Sequence, residues 1–171
     1  MCSTRRADSK VRSFASNCLD VQLITVSIAL TGSTDFGEII KRAFPESNSS
    51  AQNDEQAVAA LTYNLYLDRL LGFLSSYISA LLASPAPLNK LHGLIFSGGI
   101  GEHSAKIRQD VVETFAWIEK LARSEGGLDT EANGQSQGLR RITREGSIVP
   151  AFVVETDEEL EAVELAIQAA E

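Results

Sequence analysis

The sequence predicts an α/β fold in which strands and helices alternate along the chain. Three apolar segments rich in β-branched or aromatic residues have strand propensity, and each is followed by a polar or glycine-rich turn. They are Leu19 to Leu30, Leu91 to Phe96 and Ser147 to Glu155. Segments with helical spacing of apolar residues lie between and after them, which is typical of layered α/β domains. The 171 residues suit one ordinary domain or a small pair.

The first part of the chain is polar and then turns apolar. Met1 to about Asp20 lacks periodicity, and we interpret it as a loosely held arm. The strand predicted at Leu19 to Leu30 could also be a helix, because propensity does not separate the two at this length. It ends at Thr31 to Gly37, where glycine and short oxygen-bearing side chains suit a turn that presents backbone amides. A plain polar connection explains the same residues.

The strongest helical pattern runs from about Asp54 to Ala83. Its apolar positions with near-helical spacing are Val58, Leu61, Leu65, Leu74, Ile78 and Leu81. At a rise of 1.5 Å per residue this helix would be ~45 Å long. A helix of that length is expected to cross the domain or to line a partner subunit. Pro85 and Pro87 follow and end it.

A strand, a tight glycine turn and a helix are predicted next. The turn is Ser97 to Gly101, and helical spacing continues through Ile107, Val111 and Phe115. Glycines without Cβ atoms let a ligand reach the backbone, and a helix N-terminus offers free N–H groups, so a nucleotide is the commonest ligand of such a turn. The pattern is neither G-x-G-x-x-G nor the Walker A loop. Glycine needed only for close packing is the alternative, and His103 could either donate to a ligand or cap the helix.

The last third is predicted as a surface loop, a strand and a closing helix. Gly126 to Gly138 is rich in glycine and polar residues, which indicates a loop. The closing helix is expected from Thr156 to Ala170, with Thr156 and Glu159 as a capping box. Glu158 is not needed for that box and could hold Mg²⁺ through one carboxylate and water. Attraction of an acidic side chain to the positive helix end explains it as well.

Composition excludes several classes of protein. The formal net charge of −8, from 15 Lys and Arg against 23 Asp and Glu, argues against binding of nucleic acid and favours a small ligand or a protein partner. Apolar runs such as Ile148 to Val154 fall far short of the ~20 residues that span a bilayer, so no membrane anchor is expected. Met1 to Arg12 lacks the apolar core of a secretory signal, and Cys2 and Cys18 form no metal or disulfide pattern. These features predict a cytoplasmic protein.

Five segments of the chain carry a resemblance to a known family. They are Gly32 to Phe36, the helix residues Arg69, Tyr77 and Leu81, Leu94 to Ser104 with Ile107 and Arg108, Gly127 to Asn133, and Thr156 to Leu160. In this order they resemble the C-terminal part of acetate kinase, a member of the acetate and sugar kinase and actin superfamily. Leu94 to Ser104 is similar to the family's adenosine loop. Thr156 to Leu160 is similar to its late Thr-Asn-Glu-Glu-Leu motif.

The resemblance implies a fold and a site. The fold is one lobe of the acetate and sugar kinase/actin-type (ribonuclease H-like) fold, with residues 29–171 as the C-terminal nucleotide-binding domain and residues 1–28 as an unmatched arm. The residues implied in binding ATP or ADP are Asp35, Phe36, Gly98, Gly99, Ile100, Gly101 and His103. Of these, Gly99, Ile100 and Gly101 would flank the adenine and ribose, with Asp35 and Phe36 near the adenosine. Glu158 would hold Mg²⁺ directly or through water.

The family reaction moves the γ-phosphoryl group of ATP to acetate and gives ADP and acetyl phosphate reversibly. The resemblance therefore implies a phosphotransferase whose acceptor is a carboxyl group, with propionate or butyrate as open alternatives to acetate. The family commonly pairs through its C-terminal domain, which implies a homodimer.

This chain departs from the family pattern at three points. Gly37 stands where many bacterial members have Arg, and His103 stands where they usually have Asn. Nothing in the chain matches the N-terminal phosphate loop, the catalytic arginines and histidine or the acetate pocket. Lys106 and Arg108, the cations nearest the glycine turn in sequence, are poor substitutes. We therefore expect no turnover by this chain alone, and a non-catalytic nucleotide-binding or dimerisation module is the alternative.

Overall fold

The computed structural model describes residues 29–45, 53–86, 90–135, 138–157 and 166–168. The chain divides into two compact units, Met1–Phe73 and Leu74–Glu171. The predicted N-terminal arm and most of the first predicted strand lie outside the described residues. The prediction of a strand is wrong at its described end, because residues 29–31 are helical. Ala29 and Leu30 are strong helix formers, and the β-branched residues that favoured a strand precede them.

In the first unit, helix α1 (Phe36–Ala43) begins directly after the predicted turn. Asp35 caps it, because one carboxylate oxygen accepts hydrogen bonds from the amides of Gly37 at 2.8 Å and Glu38 at 3.2 Å. Gly32, with φ of +70°, supplies the left-handed residue between the helical residues 29–31 and this cap. The predicted turn is therefore a short connection that ends as a helix cap.

Aromatic side chains pack α1 against the following long helix. The Phe36 ring lies 4.4 Å from the ring of Tyr66, and the Phe44 ring meets Tyr63 edge-on at 5.0 Å. Ile39 and Tyr63 are almost completely buried. Aromatic pairs at these separations add to the free energy gained by burial. This cluster is the core of the described part of the first unit.

Helix α2 (Asp54–Leu82) confirms the prediction of one long helix. Asn53 caps its start by accepting a hydrogen bond from the Gln56 amide at 2.8 Å. Several large apolar side chains on α2 are exposed: Leu61, Leu65, Phe73, Tyr77 and Leu82. Among the described residues it is the one helix long and apolar enough to cross a membrane by length and composition, and only 6% of its apolar window is buried. Asp68 and Arg69 stand near its middle, where ionised groups are costly in hydrocarbon.

The second unit contains a small mixed sheet of strands β1 (Leu94–Phe96), β2 (Arg140–Arg141) and β3 (Ala151–Val153). Its order is β1-β3-β2, with β1 parallel and β2 antiparallel to β3. The unit also contains helices α3 (Gly98–His103), α4 (Ala105–Thr114), α5 (Ala116–Leu121) and α6 (Thr130–Gly134), and residues 166–168 are helical. A core of buried apolar side chains joins sheet and helices: Val112, Leu128, Ile142, Ala151 and Val153. The mixture of helix and sheet confirms the predicted α/β class.

The predicted loop Gly126 to Gly138 is partly wrong. Helix α6 lies inside it, capped by Asp129, whose carboxylate accepts a hydrogen bond from the Ala132 amide at 3.0 Å. Asn133 on α6 is 4% exposed. A five-residue helix has too few residues for a periodic pattern, so its polar sequence looked like a loop.

Candidate functional site

The glycine-rich segment lies at the carboxyl end of β1, beside the carboxyl end of β3. The two strands are parallel, and the Val154 amide continues their ladder by donating to the Phe96 carbonyl at 2.9 Å. In α/β sheets, ligands bind outside the carboxyl ends of such strands. Residues 97–103 and 154–157 therefore occupy the edge of the sheet where a ligand site is expected.

The predicted tight glycine turn is wrong in its form, because residues 98–103 make the short helix α3. Glycine is a weak helix former, so periodicity gave no sign of a helix here. Hydrogen bonds made by side chains compensate for this weakness. The Ser97 side chain makes no cap bond, and the Gly98 amide donates instead to the Glu102 carboxylate at 2.7 Å.

The glycines of α3 serve different purposes. A Cβ on Gly101 would lie 3.3 Å from the carbonyl carbon of Phe96, so glycine at this position allows α3 to pack closely on β1. A Cβ on Gly98 or Gly99 would meet nothing within 4 Å. Gly98 has φ of +72°, which favours glycine for conformational reasons. Only Gly99 combines an exposed backbone with open space on its Cβ side, so it is the glycine that a ligand could approach.

The buried side chain of Arg108 on α4 holds α3 in place through hydrogen bonds. It is 1% exposed, and its guanidinium donates to the carbonyls of Gly101 at 2.9 Å and Glu102 at 2.7 Å. It also donates to the Asn133 side chain at 2.8 Å and the Asn133 carbonyl at 2.6 Å. Burial lowers the pKa of Arg108, and the nearby charge of Arg140 lowers it further. Arg108 therefore holds the site together from within and is not placed to meet a substrate.

Sequence reasoning considered Arg108 only as a possible catalytic cation and missed this role. A signal was present, because Arg108 lies on the same helical face as Val111 and Val112, both buried. Lys106, the other nearby cation, pairs with Asp110 one turn along α4. That neither residue replaces a catalytic arginine stays a prediction.

Glu102 connects α3 to the segment after β3. One carboxylate oxygen, Oε1, accepts hydrogen bonds from the Gly98 amide, the Thr156 amide at 3.0 Å and the Thr156 hydroxyl at 2.9 Å. Partial desolvation raises the pKa of Glu102, but the bonds from Thr156 and Gly98 outweigh it and hold the pKa below its usual value. The Thr156 amide therefore donates to Glu102. The predicted capping box has this amide donate to Glu159, so that part of the prediction is wrong. Glu159 itself lies outside the described residues.

The other predicted site residues are distributed as follows. Ile100 is half-buried and His103 is exposed on α3. Asp35 and Phe36 belong to the first compact unit, where Asp35 caps α1 and Phe36 is 9% exposed against the aromatic cluster. Glu158 lies outside the described residues. Within the described residues, no three His, Cys, Asp or Glu side chains form a group that could hold a metal ion. The nucleotide roles of all these residues stay predictions.

Solved structures identify the fold class. The chain matches a crystal structure of acetate kinase from Entamoeba histolytica with a TM-score of 0.60 and 18% identity, over 82% of this chain and 33% of that one. It matches a propionate kinase from Francisella tularensis with a TM-score of 0.56 and 24% identity, over 93% of this chain and 36% of that one. The chain therefore has the fold that these acetate and propionate kinases share, as the sequence predicted.

The family follows from sequence. A model of the Acetokinase family matches residues 27–164, and the chain belongs to that family. A probable acetate kinase of Cryptococcus neoformans is 43% identical over 133 residues, which are 77% of this chain and 29% of the relative. An acetate kinase of Rhodopseudomonas palustris is 36% identical over 111 residues, 64% of this chain and 24% of the relative. The chain thus spans less than a third of the length of these relatives.

Proposed function

We propose that residues 29–171 form the nucleotide-binding part of an acetate kinase-like phosphotransferase, which transfers the γ-phosphoryl group of ATP to acetate. Family membership supports this activity. The observation that carries the proposal is the exposed, unobstructed backbone of Gly99 at the carboxyl end of two parallel strands. A flat purine and its ribose need such an approach to the backbone. Propionate or butyrate is the alternative acceptor.

In this proposal the residues have separate tasks. Gly99, Ile100 and Gly101 flank the adenine and ribose, with Gly101 keeping α3 close to β1. His103, exposed at the end of α3, offers a hydrogen-bond donor. Asp35 and Phe36 lie near the adenosine. Glu158 holds Mg²⁺, which when bound balances the negative charge of the phosphates.

The isolated chain binds nucleotide weakly and does not turn over. Phosphoryl transfer depends on cations placed around the transferred group, and loss of such an arginine costs about 10³-fold or more in rate. The contacts of Arg108 and Lys106 leave neither free for that purpose. The remaining catalytic groups would come from the part of the family's length that this chain does not cover.

A non-catalytic nucleotide-binding or dimerisation module is the second candidate. The exposed apolar side chains of α2 favour it, since Tyr77 is 65% exposed and Leu61 is 51% exposed. Apolar surface of this kind is typical of a face that contacts another protein. We propose a cytoplasmic homodimer in which α2 contributes to the contact. The net negative charge argues against nucleic acid as a partner, and the charged residues Asp68 and Arg69 within α2 argue against a membrane.

The test uses the full 171-residue chain. Thermal denaturation with ADP and Mg²⁺ should show a rise in Tm that adenosine reproduces in part and inorganic phosphate does not. Incubation with ATP, Mg²⁺ and acetate, with hydroxylamine to trap acyl phosphate, should give no product. Product formation would show that the chain is a complete kinase. No protection by ADP at about 10 mM would contradict the nucleotide site itself.

A further inference from the structure

We infer that Glu102 is a positioning residue of the nucleotide site, which fixes the segment after β3 against the glycine-rich helix α3. This inference rests on the proposed nucleotide function. Its basis is the set of three hydrogen bonds that converge on Oε1 of Glu102, from the Gly98 amide and from both donors of Thr156. We call this three-way contact the Glu102 latch.

The latch joins the two strand ends that border the candidate site. Gly98 begins α3 directly after β1, and Thr156 follows β3 by three residues. These residues are 58 apart in sequence, so no local geometry would bring them to one carboxylate oxygen. The latch adds to the ladder bond between Val154 and Phe96 and holds Thr156 next to α3.

The latch lies at the surface, so we expect it to position the parts of the site and to contribute little to the stability of the fold. Thr156 is exposed, and hydrogen bonds at the surface contribute little to folding because water replaces them in the unfolded chain. The core beneath is held independently by Arg108 and by the apolar cluster of sheet and helices. Loss of the latch should therefore free the start of α3 and Thr156 to move while the unit remains folded, because Arg108 still holds the carbonyls of Gly101 and Glu102 at the end of α3.

Such movement matters for a ligand on Gly99. Gly99 is the second residue of α3, one position from the amide that Glu102 binds. A freed start of α3 must be ordered again when the nucleotide binds, and this ordering reduces affinity. Glu102 thus acts through Gly98 and Thr156 and needs no contact with the nucleotide.

Three variants of the full chain test the inference. Glu102→Ala removes the acceptor, Glu102→Gln keeps an acceptor oxygen, and Glu145→Ala removes an exposed carboxylate without a side-chain hydrogen bond among the described residues. ADP affinity by calorimetry should fall about tenfold in Glu102→Ala. It should stay within about threefold of the wild-type affinity in Glu102→Gln and should not change in Glu145→Ala. Tm without ligand should change little in all three. A fourth variant, Thr156→Val, loses the hydroxyl alone, and its ADP affinity should lie between those of wild type and Glu102→Ala.

Amide hydrogen exchange of the ligand-free chain gives an independent readout. Exchange at Gly98 and Thr156 should speed up in Glu102→Ala and return toward wild type in Glu102→Gln. Unchanged exchange would overturn the latch, whatever ADP does. Faster exchange with unchanged ADP affinity would overturn the positioning role. If wild type fails to bind ADP while exchange responds as expected, the proposed function and the positioning role fail together, but the latch itself stands.

Discussion

The guanidinium of Arg108 donates to both the side-chain and the main-chain oxygen of Asn133, at 2.8 and 2.6 Å. The side-chain Nδ2 of Asn133 in turn donates to the Ala105 carbonyl at 2.9 Å. A charged group that is 1% exposed thus finds its partners among carbonyl and amide oxygens of α3 and α6. The contact between Arg108 and Asn133 joins two segments that resemble the family but are separate in the sequence. One is Leu94 to Ser104 with Arg108, and the other is Gly127 to Asn133.

Arg108→Lys should destabilise the chain by about 2–4 kcal/mol, because an ammonium cannot reach all four acceptors and a buried charge is left without full compensation. Urea unfolding measures the change. Arg144→Lys is the control, since the Arg144 side chain is exposed and should tolerate the substitution. Equal stabilities of the two variants would contradict the role given to Arg108.

Gly99→Ala should lower ADP affinity, whereas Gly101→Ala should lower the stability of the chain. Gly101→Ala places a methyl group 3.3 Å from the Phe96 carbonyl carbon, which should cost about 1–3 kcal/mol in stability. Gly99→Ala adds a methyl group in open space, so stability should be kept while ADP affinity falls. Denaturation and ADP titration of both variants test this. Unchanged ADP affinity in Gly99→Ala would exclude Gly99 from the binding surface.

Glu119 should make stability depend on pH. Burial raises the pKa of Glu119, but bonds from Ile148, Ser124 and Val149 and the charge of Arg141 outweigh it and leave the pKa lowered. A lowered folded-state pKa means that the stabilisation is present above the unfolded-state value, about 4.3, and is lost as the pH falls through the folded-state value.

The measurement for Glu119 compares unfolding of wild type and Glu119→Gln from about pH 7 to about pH 3. The stability advantage of wild type should shrink as the pH falls. Glu145→Gln, at an exposed carboxylate, should show no such trend. An advantage that stays constant over the whole range would mean that ionisation of Glu119 contributes nothing.

Asp35 has a helix-capping role and a proposed nucleotide role that substitutions can separate. Asp35→Ala should cost about 1 kcal/mol through loss of the cap on α1, whereas Asp35→Asn should keep the cap. If Asp35 also lies near the adenosine, as proposed, Asp35→Asn should weaken ADP binding at nearly unchanged stability. Full ADP affinity in Asp35→Asn would leave this residue with the capping role alone.

Charge on the exposed face of α2 should break a homodimer. Leu61→Glu introduces a charge where half of the side chain is exposed, so the fold should survive while an apolar contact between copies would not. Sedimentation should then show a shift from dimer to monomer. Leu139→Glu changes a leucine outside α2 that is more exposed than Leu61, and it should leave the dimer intact. A wild-type chain that sediments as a monomer would contradict the proposed homodimer.

Sequence alone determined the α/β class, the long helix α2 and the order of the family segments. These features are written locally, as apolar periodicity over 29 residues of α2 or as contiguous motifs such as Leu94 to Ser104. Tertiary structure decided what the motif residues do. Gly101 packs on Phe96 whereas Gly99 is open, although both are glycines of α3, because what an added Cβ would meet depends on the sheet beneath. The bonds of Glu102 to Thr156 and of Arg108 to Asn133 join residues 54 and 25 positions apart, and no local pattern records such contacts.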